Sequence, residues 1–480
     1  MSEHYDIIAI GTGFATSFFL HRYMAKTQRS LKVLVLEAGP MKSHREQLAE
    51  GDPMRITDTR QSVTDQQFVN KNPEKIWRFY WGFGGGSNCW VACTPRQIPE
   101  DFELKSKYGI GEDWPLTYDE LEPFYCDAED LMQIGGDSEN SPYPRSRPYP
   151  QKAHRLSNPD KLLMKAYPDK VFAHPCARTP GPVPGQRGAC CNSGVCQLCP
   201  VDAKFTILNG MKELFGNKSI ETRYGARVLS FDHANGVVST VNYQDTSGTK
   251  KVTGDMVVLG ANAIFNPYIM LNSGLEHPEL GTGLCEQVAR PAFLRLDGVD
   301  NFTGGTVSTA LSYLSYGGDH RRNRAAAMMQ TINEPTPINV RGRWLQMLHV
   351  NFIYEDFRRK DNHVRVSAED PSKPEVTYKG RSELTEKGLA SIEEDLKPVL
   401  DALPVLDYEV RDPWRTESHI LCTTPMGNDP QTSVLDRDCV HHQLRNLVVL
   451  GSGNFPTAAP ANPTLTLSAL SLWSAERLSA

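Results

Sequence analysis

The sequence predicts an α/β protein, more closely an α+β chain of two lobes, from three observations. A short apolar run at 6–10 is followed by two closely spaced glycines and a helical stretch, and a second apolar run occupies 33–36. Further apolar runs of this kind occur at 256–259 and 447–450, and stretches of alternating character such as 344–354 lie between them. Short apolar runs are typical of parallel strands buried on both faces, whereas alternation is typical of a half-buried sheet.

Length, charge and cysteine content limit the class of protein. A chain of 480 residues can build a large two-lobed enzyme, and its 51 basic and 57 acidic residues leave a formal charge of only −6. Because neither long runs of one charge nor a long apolar window occurs, we expect no nucleic-acid partner and no direct membrane insertion. The N-terminal MSEHYDIIAIGTG leads directly into a strand pattern, so the chain's own sequence predicts a cytoplasmic location without a signal peptide. Eleven cysteines, an odd number, fit a reducing compartment.

The N-terminal motif predicts a dinucleotide-binding site in a Rossmann-like domain. Gly11 and Gly13 follow the first strand and open the first helix, and Glu37 ends the second strand, 24 residues after Gly13. Glycines at this turn let the main chain approach a pyrophosphate at the helix N-terminus, and a carboxylate at this spacing can accept from a ribose hydroxyl. Thr16 replaces the third glycine of the fingerprint. This motif alone leaves FAD and NAD as alternatives.

Several later segments resemble the glucose-methanol-choline (GMC) oxidoreductase family and favour FAD. They are, in order, WGFGGGSNCW at 81–90 with TPR at 94–96, WPLTYDELEPFY at 114–125, GARV at 225–228, MVVLGANA at 256–263, and NLVVLGSGNFPT at 446–457 with ANPTLT at 461–466. The matches run in order through nearly the whole chain. The resemblance implies that the FAD contacts are Gly11, Gly13, Glu37, Gly85, Ser87, Asn88, Cys89, Val228, Ala261, Gly453, Asn454 and Thr464.

Within this family the chain is most similar to the sugar-oxidising branch, the pyranose oxidases and the bacterial FAD-dependent glucose, fructose and glucoside 3-dehydrogenases. The segment SHILCTTPMG at 418–427 and Asn462, 43 positions after His419, carry the similarity. The resemblance implies that His419 is the base that removes the hydroxyl proton while hydride leaves for flavin N5, and that Asn462 holds the oxygen. Cys422 stands where relatives have glycine. Cys89 stands where pyranose oxidases carry a flavin-linked histidine, so a cysteinyl link and a dissociable FAD are both open.

A second candidate site is the stretch GACCNSGVCQLCPVDAK at 188–204, which contains Cys190, Cys191, Cys196 and Cys199. A tight disulfide loop, a structural zinc site, an iron–sulfur cluster and unligated thiols are the alternatives. A reducing compartment disfavours the disulfide loop and structural zinc usually takes two separated pairs of ligands, so the spacing favours an iron–sulfur cluster. The resemblance implies the same, because bacterial glucose and fructose dehydrogenases hold a three-iron cluster with a similar motif whose last gap is one residue longer. We expect a 3Fe–4S or a 4Fe–4S cluster, with the choice between Cys190 and Cys191 open.

The dispersed motifs predict a discontinuous FAD-binding domain and a discontinuous substrate domain of sheet and helix. The predicted boundaries are 1–105, 200–290 and 405–480 for the FAD-binding domain, 106–199 for a cysteine-cluster and cap segment, and 291–404 for the substrate-binding domain. In the substrate domain the patterns predict strands within 306–316, 344–354, 362–367 and 373–378, and one helix with a charged outer face over 382–400.

Together these expectations describe an FAD-dependent dehydrogenase that oxidises a hydroxyl of a sugar or glycoside to a ketone or lactone. Electrons would leave through the iron–sulfur cluster to a small partner subunit and then to a cytochrome or a quinone-linked protein. The resemblance implies that a partner subunit bearing an export signal could carry the chain to the periplasm, as the alternative to a cytoplasmic location. Two other functions stay open: an oxygen-dependent oxidase of the pyranose-oxidase type with structural thiols, and a non-enzymatic, redox-sensing flavoprotein.

Overall fold

The computed structural model describes residues 3–50, 67–334 and 336–479. Its strands in chain order are β1 (His4–Ile10), β2 (Val33–Glu37), β3 (Val69–Asn70), β4 (Gly135–Gly136), β5 (Gln151–Lys152), β6 (Val171–Ala173), β7 (Ile220–Tyr224), β8 (Arg227–Ala234), β9 (Val237–Asp245), β10 (Gly248–Leu259), β11 (Val288–Asp297), β12 (Ala310–Ser312), β13 (Ala327–Ile332), β14 (Pro337–Val340), β15 (Arg343–Tyr354), β16 (His363–Val366), β17 (Pro374–Thr377), β18 (Val405–Val410), β19 (Val440–His441) and β20 (Leu444–Val449). Its α-helices are α1 (Phe14–Lys26), α2 (His44–Glu50), α3 (Leu104–Tyr108), α4 (Tyr118–Met132), α5 (Asn158–Ala166), α6 (Ile207–Gly210), α7 (Lys212–Phe215), α8 (Asn262–Asn272), α9 (Glu383–Ala390), α10 (Ile392–Ala402) and α11 (Thr464–Leu478).

An eight-stranded sheet forms the centre of the first lobe. Its main order is β19-β20-β10-β1-β2-β7, and the neighbours from β20 to β7 are parallel. The hairpin β8–β9 extends it along the first part of β10. Every residue of β2 is buried, as expected of a parallel strand covered on both faces. Helix α11 packs against α1 and α4, so the C-terminus closes the core that the N-terminus begins.

The turn between β1 and α1 depends on a close approach to the end of β10. Gly11 has φ +88°, and a Cβ there would lie 2.6 Å from the carbonyl oxygen of Gly260, so glycine is required. Thr16 stands where the fingerprint has its third glycine, and a Cβ on Gly260 would overlap the Thr16 hydroxyl. The close packing of helix on strand that a third glycine provides is therefore supplied here by Gly260.

A seven-stranded antiparallel sheet forms the second lobe. Its main order is β18-β11-β15-β13-β12-β6, with β14 paired to the outer part of β15. Its core is a second hydrophobic cluster that includes Leu294, Leu348 and Leu396 and is separate from that of the first lobe. A three-stranded sheet, β16-β17-β3, packs instead with the core of the first lobe through Val364 and Val376.

The predicted α/β class is confirmed, whereas two details of the second lobe differ from the prediction. The second sheet takes Val405–Val410, which the predicted boundaries assign to the FAD-binding domain, because this strand pairs with Val288–Asp297. The single helix predicted over 382–400 is wrong: two helices meet at Ser391. The Ser391 hydroxyl donates to the carbonyl oxygen of Lys387 at 2.9 Å, a local bond that competes with helical continuation. Within the described ranges, no helix has the length and apolar character needed to cross a membrane.

Candidate active site

A cavity of about 320 Å³ lies at the carboxyl ends of the central strands β1 and β2. In open parallel sheets this edge is where ligands bind. The structure brings together around it the sequence-predicted residues Gly11, Gly13, Glu37, Gly85, Cys89, Val228, Ala261, His419, Asn462 and Thr464. Residues from both ends of the chain therefore meet at one ligand-sized space.

Glu37 closes the glycine turn from the end of β2. Its Oε2 accepts from the Thr12 amide at 3.1 Å and the Thr12 hydroxyl at 2.6 Å, and its Oε1 accepts from the Gly39 amide at 2.9 Å. Burial raises the pKa of the Glu37 carboxyl, although these donors act in the opposite direction. The side chain thus fixes the turn and also lines the cavity.

The loop at 82–93 packs directly on the glycine turn. The Gly84 amide donates to the Thr12 hydroxyl at 2.9 Å. Gly85 has φ +49°, and a Cβ there would come within 3.2 Å of the Gly13 Cα, so the two loops touch through main chain. This interlocking leaves the amide groups of both loops at the same edge of the cavity.

Four predicted contacts, Ser87, Asn88, Gly453 and Asn454, are not among the residues that line the cavity. Ser87 and Asn88 brace the 82–93 loop from behind: the Ser87 hydroxyl donates to the Gly84 carbonyl oxygen at 2.7 Å, and the Asn88 amide donates to Phe83 at 2.7 Å. The Asn454 amide donates to the Val449 carbonyl oxygen at 2.7 Å and holds the turn after β20. In this structure, these side chains support the cavity wall.

His419 and Asn462 both line the cavity. Nδ1 of His419 and Oδ1 of Asn462 are buried and have no hydrogen-bond partner among the described residues. Burial lowers the pKa of His419 to about 4, while the nearby Glu286 carboxylate acts in the opposite direction. The imidazole is therefore neutral at physiological pH and able to accept a proton.

Glu417 is a site residue that the sequence analysis missed. It lines the same cavity, and its Oε1 is also buried without a partner among the described residues. Burial, reinforced by the charge of Glu286, raises the pKa of Glu417 to about 8, so this carboxyl is protonated at neutral pH. An acidic residue two positions before the predicted base was the one available signal in the sequence.

The four cysteines of the 188–204 loop surround a second, small cavity of about 10 Å³. They are Cys190, Cys191, Cys196 and Cys199, and Arg178 and Lys204 line the cavity with them. Burial raises the pKa of Cys196 to about 12, although the positive charge of Arg178 opposes this. In the part of the chain that the structure describes, no three His, Cys, Asp or Glu side chains form a group that could hold a metal ion. The thiols thus share one space without a coordinating arrangement.

The cysteine loop adjoins the wall of the large cavity. The Lys204 ammonium donates to the carbonyl oxygens of Trp90 at 2.9 Å and of Gln197 at 2.8 Å, which joins the cysteine loop to the 82–93 loop. Gln197, between the last two cysteines, lines the large cavity itself. Arg178, which lines the small cavity, donates to the thiol of Cys93 at 3.8 Å, and Cys93 lines the large one. Residues that line the two cavities are therefore in direct contact.

The residues around the large cavity fit FAD. A Cβ on Gly13 would meet no atom within 4 Å, so open space lies at the N-terminus of α1, where the main chain can cradle a pyrophosphate. Glu37 stands at the end of the next strand, the place of a ribose-binding carboxylate. Gly13, Glu37, Gly85 and Thr464 would hold the cofactor on this geometry.

The chain is similar to several known proteins. Residues 359–471 match the GMC oxidoreductase family. The chain is 24% identical to the fructose dehydrogenase large subunit of Gluconobacter japonicus, over 98% of this chain and 97% of that protein. It is 24% identical to paromamine 6'-oxidase of Streptomyces fradiae, over 98% of this chain and 91% of that protein. Pyridoxine 4-oxidase from Mesorbium loti has the same fold, with a TM-score of 0.65, 15% identity and coverage of 98% of each chain.

Proposed function

We propose that the chain, a GMC-type FAD-dependent oxidoreductase acting on CH–OH groups, is a sugar or glycoside dehydrogenase with His419 as its base. One observation carries the assignment of the site: His419, Asn462 and Glu417 line one cavity, and each has a buried polar atom without a partner among the described residues. Buried polar groups are normally hydrogen-bonded, so partners for these three are expected from a polar ligand. A polyhydroxylated substrate supplies them.

The chain's own residues perform the proton chemistry. His419 is neutral, so its imidazole can take the proton of the reacting hydroxyl. The side-chain N–H of Asn462 would donate to the oxygen of that hydroxyl, and the protonated carboxyl of Glu417 would donate to a neighbouring hydroxyl of the substrate. FAD, when bound, would accept the hydride that leaves the carbon bearing the reacting hydroxyl. Positioning of the carbinol by these groups provides much of the rate, since well-oriented reactants avoid an entropic cost.

The test is anaerobic reduction of the bound flavin by a panel of sugars and glycosides, followed by absorbance. We expect at least one sugar or glycoside to reduce the flavin of the wild-type protein, while His419→Ala retains FAD and is not reduced. A panel in which simple primary alcohols reduce the flavin and no sugar does would contradict the substrate class. Equal reduction of wild type and His419→Ala would contradict the role of the histidine.

We also propose that the four cysteines hold a small iron–sulfur cluster through which electrons leave singly. Their shared cavity, the buried cations Arg178 and Lys204 beside it, and the contact of Arg178 with Cys93 in the wall of the large cavity support this. Iron–sulfur clusters are held by closely spaced thiolates, and nearby positive charge favours thiolates. Iron content and electron paramagnetic resonance of anaerobically purified protein test it: absence of iron would refute the cluster, and Cys196→Ser should lose it while FAD stays bound.

A partner subunit is the further part of this proposal. The similar proteins include one named as a large subunit and one named as a gluconate 2-dehydrogenase flavoprotein, which supports assembly with a small subunit. As the electron acceptor we propose a cytochrome or a quinone-linked protein. Export of the chain to the periplasm would then depend on that subunit, whereas the chain alone would stay cytoplasmic. Co-expression with a candidate small subunit, followed by fractionation, tests both statements.

An oxygen-dependent oxidase is the second candidate. Two similar proteins are named as oxidases, paromamine 6'-oxidase and C-glycoside 3-oxidase, and the described thiols form no metal-holding group. Stoichiometric hydrogen peroxide formation in air, without an added electron acceptor, would favour the oxidase. Slow reaction with oxygen and fast reduction of a one-electron dye would favour the dehydrogenase.

A further inference from the structure

Glu286 is a buried carboxylate on which three donors of one turn converge. Its Oε1 accepts from the Thr416 hydroxyl and from the amides of Glu417 and His419, each at 2.9 Å. Its other oxygen accepts from the ammonium of Lys75. Hydrogen bonds to an ionised oxygen are about twice as strong as neutral ones, so this carboxylate fixes the main chain on either side of the base.

The turn needs an external anchor because its centre is in an unusual conformation. Ser418 has φ +62°, in the left-handed region that non-glycine residues rarely adopt. Such residues persist where the surrounding structure holds them. The Ser418 amide donates to the Thr416 hydroxyl at 3.0 Å, and that hydroxyl donates to Glu286, so the anchor extends through the whole turn.

Gln287, the next residue along the chain, holds the segment that carries Asn462. Its side-chain amide donates to the carbonyl oxygen of Ala461 at 2.6 Å and to that of Ala459. Gln287 and Glu286 are each only 1% exposed. Two consecutive buried side chains thus hold the two segments that carry the proposed base and its partner.

Both anchors stand immediately before β11, a central strand of the second lobe. That strand pairs with β15 in an unbroken register from Val288 to Asp297, and with β18 on its other side. Catalytic groups supported by a strand of a packed sheet are held more closely than groups on a free loop. The sheet of the second lobe therefore holds in place the C-terminal segments that carry His419 and Asn462.

We propose that Glu286 and Gln287 are positioning residues that set His419 and Asn462 relative to each other. The inference rests on the proposed function, because it takes His419 as the base. Neither residue lines the cavity, so each acts through the main chain that it holds. A displacement of the base by about 1 Å can slow a reaction by roughly a hundredfold.

Three variants test the proposal in the FAD-bound enzyme. Glu286→Ala removes the acceptor, Glu286→Gln keeps an oxygen that can accept from the turn, and Gln287→Ala removes the second anchor. We expect Glu286→Ala and Gln287→Ala to retain FAD and to reduce it roughly 10- to 100-fold more slowly at saturating substrate, with little change in the half-saturating concentration. Glu286→Gln should recover at least about tenfold of the loss, because the hydrogen bonds can reform.

Asp395→Asn is the matched control, since Asp395 is a buried carboxylate bonded to Arg324, Ser315 and Tyr354 and does not line the cavity. It should lower stability without slowing flavin reduction. Wild-type rates of flavin reduction in Glu286→Ala and Gln287→Ala would overturn the positioning role. So would a Glu286→Gln variant that reduces flavin as slowly as Glu286→Ala while Asp395→Asn keeps the wild-type rate. If Glu286→Ala does not fold, the proposal is tested by the rates of flavin reduction in Gln287→Ala and Glu286→Gln, each compared with the wild type. Normal reduction in His419→Ala would instead overturn the proposed function.

Discussion

The main chain of Gly11 lies so close to Gly260 that a Cβ on Gly11 would come within 2.6 Å of the Gly260 carbonyl oxygen. Two residues later there is open space instead, because a Cβ on Gly13 would meet no atom within 4 Å apart from its own neighbours in the chain. Gly11 is thus required by the fold, whereas Gly13 leaves room for a ligand. The two glycines of one motif can be separated by experiment.

Gly11→Ala and Gly13→Ala should fail in different ways. Gly11→Ala should lower the free energy of unfolding by more than the roughly 1–2 kcal/mol of a left-handed alanine, because the clash with Gly260 adds to it. Gly13→Ala should leave the melting temperature of the FAD-free protein unchanged and weaken FAD binding, because its methyl group occupies the pyrophosphate cradle. Thermal unfolding without FAD and flavin content after purification check both; full FAD occupancy in Gly13→Ala would contradict the cradle.

His419→Ala should reduce flavin with substrate roughly 10²- to 10⁴-fold more slowly, the usual range for loss of a general base. His349→Ala is the matched control, since burial also lowers the pKa of His349 to about 4, but its ring stacks on Phe293 at 4.5 Å and does not line the cavity. Stopped-flow absorbance of the bound flavin measures both. A comparable loss in the two variants would point to general damage.

Glu417 predicts an alkaline limb in the pH profile. Its pKa is raised from 4.5 to about 8, so the carboxyl gains a negative charge as pH rises through about 8 and can no longer donate to a substrate hydroxyl. Flavin reduction should therefore fall above that pH in the wild type and stay flat in Glu417→Gln. The same shift stabilises the folded protein fully below pH 4.5, and this contribution is lost as pH rises through about 8. The exposed Glu393→Gln should keep the wild-type limb.

His419 adds the opposite dependence of stability on pH. Its folded pKa lies at about 4, below the ordinary 6.5, so its contribution is present above pH 6.5 and is lost as pH falls through about 4. His419→Ala should therefore lose less stability than the wild type between these two values. Denaturant unfolding at pH 7 and pH 4.5 measures the difference, and equal pH dependence in both proteins would contradict the lowered pKa.

Lys204→Met should loosen the cysteine loop from the 82–93 loop. It keeps most of the apolar stem and removes charge-assisted hydrogen bonds to Trp90 and Gln197, so the free energy of unfolding should fall by about 3 kcal/mol. Electron transfer to a one-electron dye should slow more than flavin reduction by substrate. The exposed Lys212→Met is the control. Equal slowing of both half-reactions would argue against a specific role of this junction.

Several parts of the fold and site could be predicted because short stretches of sequence encode them. The apolar runs around Gly11 and Glu37 act within a single strand–turn–helix unit, where backbone stereochemistry and periodicity decide the outcome. Ser87 and Asn454 lie in the predicted loops, but their side chains bond to the main chain behind the cavity wall. Which residues of a loop line the cavity depends on how other segments pack against that loop. Glu417 was overlooked because an acidic residue near a motif is ordinarily a solvent-exposed side chain.

The sequence by itself determined the α/β class and the glycine turn of a dinucleotide-binding site, because these follow from patterns among residues close in the chain. The resemblance to a known family favoured FAD and made His419 and Asn462 candidates. Only the tertiary structure decided that Glu286 holds His419, that the cysteine loop adjoins the large cavity through Lys204, and that Glu417 faces the same space. Glu286 and His419 are 133 residues apart, and their hydrogen bond exists because the start of β11 packs against the C-terminal segments. Contacts of that range are set by the packing of whole lobes, which no local pattern encodes.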